Sequence, residues 1–183
     1  MQEETFYFTD LYTGRPTEPR TQEEDSCYDL LDQLGIAYDR VDHDPADSIE
    51  KCHLLEPVLG VSATKNLFLR DRQRAHWYLL LMPGDKPFRT SVLSKQLGIA
   101  RLSFGEEEQM QQYLGVHPGS VSILGLKNDK NREVRFLIDR DVLNGLYLRC
   151  HPCINTSTLR IRREDAMDVL FPYIRHIPTI VNL

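Results

Sequence analysis

Thr64-Lys65-Asn66-Leu67-Phe68-Leu69 sets a lysine and an amide side chain at the mouth of an apolar run. A polar cluster from Arg70 to Arg74 follows, and then a second apolar run, His76-Trp77-Tyr78-Leu79-Leu80-Leu81-Met82. Short apolar runs bounded by polar residues read as two buried strands joined by a tight turn. Lys65 then stands at the start of a strand, where a long cationic side chain can reach into a neighbouring cleft. A lone lysine is ordinarily solvated, its methylenes lying over apolar neighbours. Any role for this one depends on what the rest of the chain brings near it.

Upstream, Thr21 and Glu24 form a capping box, and Cys27, Leu30, Leu31 and Leu34 fall at i, i+3, i+4 and i+7 before Gly35. That spacing predicts an amphipathic helix. Residues 36–41 read as a short strand, and Asp47 or Ser48 as the cap of a second helix ending before Pro57. His43, inside Asp42-His43-Asp44, reads as a solvated or turn histidine. Gly14, Pro16 and Pro19 break any regular element in residues 1–20, which are expected to form an N-terminal arm ahead of a single domain over 21–183.

Downstream, Pro83-Gly84-Asp85 is a turn, and Thr90 or Ser91 caps a helix carrying Val92, Leu93 and Leu97 up to Gly98. Ser103 with Glu106 reads as a second capping box ahead of Met110, Tyr113, Leu114 and Gly115. Asn128-Asp129-Lys130-Asn131 signals a turn before a strand at 134–138. A helical turn at 139–145, strands at 147–150 and 159–162, a last helix on Ala166, Val169 and Leu170 stopped by Pro172, and a closing strand within 177–181 complete the chain. Strands and helices alternate without a regular βαβ beat. The expected class is therefore α+β, with a mixed, mostly antiparallel sheet flanked by helices.

The 183 residues, 41% hydrophobic and 27% charged, suit one globular domain and exclude a fibre or a disordered chain. The longest apolar run, 77–82, is far below the roughly 20 residues of a membrane helix, and Met1-Gln2-Glu3-Glu4 is acidic where a signal peptide is basic. The expectation is a cytoplasmic protein with no membrane partner. Its four cysteines are too few for a disulfide framework, so reduced thiols are expected. Residues 1–60 carry 15 acidic and 4 basic side chains, whereas 61–183 carry 12 acidic and 18 basic. A basic remainder on an acidic protein is compatible with a polyanion meeting one face, and equally with charges intermixed on the surface.

Cys150-His151-Pro152-Cys153 invites a redox or zinc reading. A reactive dithiol needs its first cysteine at a helix N-terminus, and a structural zinc needs a second ligand pair; neither accompanies this motif. No metal or cofactor is expected, and no G-x-S-x-G or G-x-x-x-x-G-K motif occurs. The loop Gly115-Val116-His117-Pro118-Gly119-Ser120-Val121-Ser122 offers backbone N–H groups to a bound oxygen, because glycine removes side-chain bulk. With Lys65, Asn66 and His151 it supplies donors without an activated protein nucleophile. Such a set suits water attacking an ester, or a substrate carrying its own reactive hydroxyl.

Thr64 to Leu69, Arg101-Leu102-Ser103-Phe104, Tyr113 to Ser122, and His151-Pro152 followed by Asn155-Thr156 together resemble the YbaK/prolyl-tRNA-synthetase-associated editing family over about residues 22–175. The likeness is greatest to its free-standing members, which hydrolyse alanine wrongly attached to the tRNA for proline. The resemblance implies a curled mixed sheet, no metal, and a cleft for the aminoacyl-adenosine at the 3′ end of a mischarged tRNA, with prolyl-tRNA synthetase as a further partner. It implies that Lys65 holds the phosphate or ester end, with Asn66 beside it. Gly115, Pro118, Gly119, Ser120, Val121 and Ser122 would border the amino-acid pocket, and His151 would lie near the scissile ester. Two alternatives stay open: a non-catalytic module binding aminoacyl-tRNA or an amino-acid derivative, and a deacylase of the same fold for cysteine or serine.

Overall fold

The computed structural model describes residues 5–183. Residues 1–4 of the expected arm lie outside them. The two apolar runs form β3 (Thr64–Arg70) and β4 (Trp77–Pro83), an antiparallel pair in which Lys65 faces Met82 and Phe68 faces Leu79. β5 (Ser103–Phe104) pairs with the other edge of β3. β6 (Val134–Asp139) lies parallel to β4, and β9 (Thr179–Val181) parallel to β6, giving the order β5-β3-β4-β6-β9. A second, wholly antiparallel sheet has the order β1-β2-β8-β7, from β1 (Tyr12–Thr13), β2 (Tyr38–Asp42), β8 (Ser157–Arg162) and β7 (Tyr147–Cys150). The α+β class holds, with mostly antiparallel pairing, but the strands divide between two sheets.

One core fills the space between the sheets. Leu148, Cys150, Leu159 and Ile161 meet Phe68, Trp77, Leu79, Leu81 and Phe136, and the helix α1 (Gln22–Gln33) adds Cys27, Tyr28 and Leu31. Thr21 caps α1 as its spacing predicts, its hydroxyl accepting from the Glu24 N–H at 3.2 Å. The far face of the five-stranded sheet packs Tyr78, Leu80, Met82 and Leu137 under Leu93 of α4 (Thr90–Leu97). On the outer face of the four-stranded sheet, α2 (Ile49–Leu54) and α3 (Glu56–Leu59) place Leu55 and Leu59 against Val41. The lead-in contributes β1 and a bridge between Phe8 and His43.

Four local expectations are corrected. Ser103 and Glu106 form no capping box: Ser103 is in β5, and Glu106 accepts from Arg70 Nε at 2.9 Å, so an ion pair takes the carboxylate that would have capped α5 (Glu107–Gln109). Neither Thr90 nor Ser91 caps α4, whose N-cap is Arg89 with no side-chain bond. Pro172 does not stop the last helix. The chain widens into a π-turn over Ala166–Leu170, and Pro172 opens the following turn, Phe171–Tyr173, where its missing N–H is no loss. His43, read as a solvated or turn histidine, is buried at 6% exposure in a bridge to Phe8.

Candidate functional site

Side chains alternate across a strand. Since Leu148 and Cys150 of β7 enter the core, Tyr147, Arg149 and the following His151 turn to the outer face, beside Thr158 and Arg160 of β8. A polar row results where a sandwich would ordinarily show water. His151 Nδ1 lies 2.9 Å from the Ser157 carbonyl and 3.4 Å from Thr158 Oγ1. A carbonyl only accepts, so Nδ1 carries the proton and Nε2 presents a lone pair. Thr158 in turn meets His43 Nε2 at 2.8 Å, and His43 Nδ1 donates to the Asp44 carbonyl at 2.7 Å. The two imidazoles stand edge to face, 6.3 Å apart. Burial drives the His151 pKa down to about 4 and lowers that of His43, and Arg149 pushes both in the same direction. Both rings are neutral at pH 7.

The 115–122 loop reaches this row through its last residue. Ser122 donates to the His151 carbonyl at 2.5 Å while its oxygen accepts from the Leu124 N–H at 3.1 Å. Gly115, His117 and Ser120 line a cavity of about 650 Å³ with Cys153, Asn155 and Thr156. Gly119 adopts φ +84°, a left-handed conformation that glycine reaches without strain. Gly119 and Pro118 are exposed and Val121 half-buried. Ser120 thus shares a cavity with Asn155 and Thr156, whereas Ser122 is joined to the His151 backbone and neither of those two lines that cavity.

Lys65 and Asn66, adjacent on β3, point to opposite faces. Lys65 shares a side with Leu67 and Leu69, and its ammonium donates to the Lys86 carbonyl at 2.5 Å. Asn66 shares a side with Phe68, and its Oδ1 is buried without a partner. No hydrogen bond among the described residues joins Lys65 to residues 115–122. Thr64, next to Lys65, instead lines a separate hollow of about 530 Å³ with Gly60, Ser62, Ala63, Tyr147 and Arg149. His43, Thr158 and Arg149 escape a reading of the sequence because nothing local marks them; the parity of Tyr147, Arg149 and His151 along one strand was the available signal.

No group of three or more His, Cys, Asp or Glu among the described residues is placed to hold a metal. The CxxC cysteines diverge. Both are in the core, but it is Cys153 whose Sγ lies 3.5 Å from Cys27 Sγ, all four thiols being free. No described helix is long and apolar enough to cross a membrane.

Against this geometry stand the likenesses to known proteins. The profile of the aminoacyl-tRNA editing domain matches residues 43–169. The prolyl-tRNA editing protein ProX of Acetoanaerobium sticklandii is 33% identical over 135 residues, covering 74% of this chain and 82% of that protein. The prolyl-tRNA synthetase associated domain-containing protein 1 of Danio rerio is 30% identical over 156 residues, 84% of each. A crystal structure of a candidate trans-editing enzyme for prolyl tRNA synthetase superposes with TM-score 0.66 over 90% of this chain and 98% of that one; at 14% identity this likeness speaks for the fold. The matched span runs from His43 through the Lys65 strand and the 115–122 loop to His151 and beyond, and by it the chain belongs to the aminoacyl-tRNA editing domain family.

Proposed function

We propose that this chain acts in trans to remove alanine from the tRNA for proline. As a member of the editing-domain family it is an aminoacyl-tRNA deacylase; the amino acid, the tRNA and the residue roles are this reading's own. The observations carrying it are the 33% identity to a prolyl-tRNA editing protein over 135 residues and the editing-domain profile, whose span holds Lys65, loop 115–122 and His151. A synthetase pocket sized for proline rejects a smaller apolar amino acid weakly, since a missing methylene yields only about 1–3 kcal/mol of discrimination. A tighter second site can exclude proline by size and admit alanine. The synthetase that makes the error is then the source of substrate and a natural partner.

A histidine with pKa about 4 is a weak base at pH 7. Its contribution in this reading is positional: Nδ1–H is tied to Ser157, and the Nε2 lone pair orients a water, or the neighbouring ribose hydroxyl, toward the ester carbon. N–H groups of the glycine loop face the developing oxyanion, and Lys65 holds the terminal nucleotide. An ester flanked by a ribose hydroxyl needs little more than orientation and oxyanion stabilisation.

A hydrolysis panel over Ala-, Ser-, Cys- and Pro-charged tRNA for proline tests this. Release of alanine well ahead of the others is expected, and Lys65→Ala should slow it at least tenfold, about 1.4 kcal/mol. Preferential release of serine or cysteine would overturn the specificity. Binding of alanyl-tRNA without release of alanine would make the chain a regulator instead.

A further inference from the structure

Arg149 is 3% exposed, and its two terminal nitrogens have no hydrogen-bond partner among the described residues. It faces Arg160 directly across the β7–β8 ladder, a like-charge pairing that destabilises a sheet unless each charge is met. Arg160 is met: its Nε donates to Asp39 at 2.7 Å, its Nη1 to the Leu59 carbonyl at 2.5 Å, and its guanidinium lies 4.6 Å from the centre of the Tyr147 ring. Arg149 is not. The nearby Glu56 spends its Oε1 on the Ala63 N–H at 2.6 Å and on His53 at 2.7 Å and makes no hydrogen bond to Arg149, and Asp141 is taken by Lys86 at 2.8 Å. A guanidinium stays protonated even when buried, so the fold carries a cation that Glu56 attracts from a distance but that no group hydrogen-bonds, an unfavourable arrangement. This cation belongs to the wall of the 530 Å³ hollow that Thr64 also lines, a volume within the usual range for small-ligand sites. Gly60, in the same wall, has φ +64°, and a Cβ there would press to 3.2 Å from Arg160 Nη1.

We infer that Arg149 is an anion-binding residue, and that its ligand is a phosphate group of the nucleotide at the tRNA 3′ end. This rests on the proposed function for the identity of the anion. In an aminoacyl-tRNA the amino-acid carboxyl is esterified and the amine is cationic, leaving the phosphodiesters as the only anions. The planar fork of a guanidinium matches two phosphate oxygens at once. Arg149 lies two residues before His151 on the same face of the chain, so a phosphate held there would seat the terminal ribose near the imidazole.

The test compares wild type with Arg149→Met, by thermal unfolding with 5′-AMP, adenosine or inorganic phosphate and by alanyl-tRNA hydrolysis. The expected variant melts at or above the wild-type temperature without ligand. AMP and phosphate raise the wild-type midpoint more than adenosine does, the variant loses that shift, and its KM for alanyl-tRNA rises at least tenfold with a smaller change in kcat. A lower midpoint with unchanged KM would make Arg149 a packing residue and overturn the inference, as would an AMP shift that survives in the variant. Should Arg149→Met fail to fold, Arg149→Lys, which keeps charge but loses the fork, must still weaken the AMP shift, or the inference falls. If wild type releases no amino acid yet loses its AMP shift on substitution, the proposed function fails and the anion site stands.

Discussion

β4 and β7 are built to opposite specifications. Every residue of β4 from Trp77 to Met82 is buried and apolar, with Trp77, Leu79 and Leu81 in the core between the sheets and Tyr78, Leu80 and Met82 under α4. β7 is an edge strand that gives the core only Leu148 and Cys150, while Tyr147, Arg149 and then His151 turn outward. A buried and a half-buried imidazole, a threonine hydroxyl and a guanidinium without a hydrogen-bond partner on that outer face are a poor way to stabilise a sheet. Stability is therefore held by the five-stranded sheet, and the polar groups that lower it gather where the four-stranded sheet meets α2 and α3. A protein tolerates such a face when the groups have a ligand to meet.

The sharpest way to break this contrast is to cut the apolar strand. Leu79 has no exposed surface and lies opposite Phe68 on one side and Phe136 on the other. Leu79→Ala should remove about 3–5 kcal/mol from the unfolding free energy, the cost of the lost side chain plus the cavity it leaves. Denaturant titration checks this. A loss below about 1 kcal/mol would mean that the five-stranded sheet is not where stability resides.

The polar face should show itself through pH. The folded-state pKa of His151 is about 4, below the ordinary 6.5 of an unfolded chain, so as pH falls the unfolded state takes up the proton first. The contribution from His151 is flat above about pH 6.5, and stability declines from there toward pH 4 by no more than about 3 kcal/mol. His43, also lowered by burial, acts with the same sign. Carboxylates held low by partners, such as Asp129 beside His176, add losses further into acid. Unfolding free energies at pH 7.5 and 4.5 for wild type and His151→Asn isolate the histidine: the variant should lose less on acidification. Equal losses would place no titrating imidazole at residue 151 in that window.

How far the sequence carried is itself physical. The β3–β4 pair, the capped α1 and the β6 strand were legible because apolar runs, a capping box and turn residues are local signals. What escaped depends on pairing across the chain. His43 meets Thr158 over 115 positions, and Arg149 lies opposite Arg160 only once the β7–β8 register is set. Glu106 looked like a capping residue until Arg70, 36 positions away, claimed its carboxylate. Lys65 was read correctly as the start of a strand. That it and Asn66 diverge follows from strand parity, but which face carries the chemistry is decided by how the second sheet packs.

Thr158→Val gives the smallest and most local test of the polar face. Valine keeps the shape of threonine and removes only the hydroxyl that joins the two histidines, leaving His43 Nε2 without its donor. His151 keeps the Ser157 carbonyl on Nδ1. The expected loss of stability at pH 7.5 is about 1 kcal/mol, the scale of one buried hydrogen bond. A hydroxyl can turn to accept from a protonated ring and a methyl cannot, so the substitution should push the His43 pKa further below the ordinary value, visible in an NMR titration of the ring protons. If the His43 titration does not move while stability falls, the threonine acts through packing alone and the two imidazoles are not coupled through its oxygen.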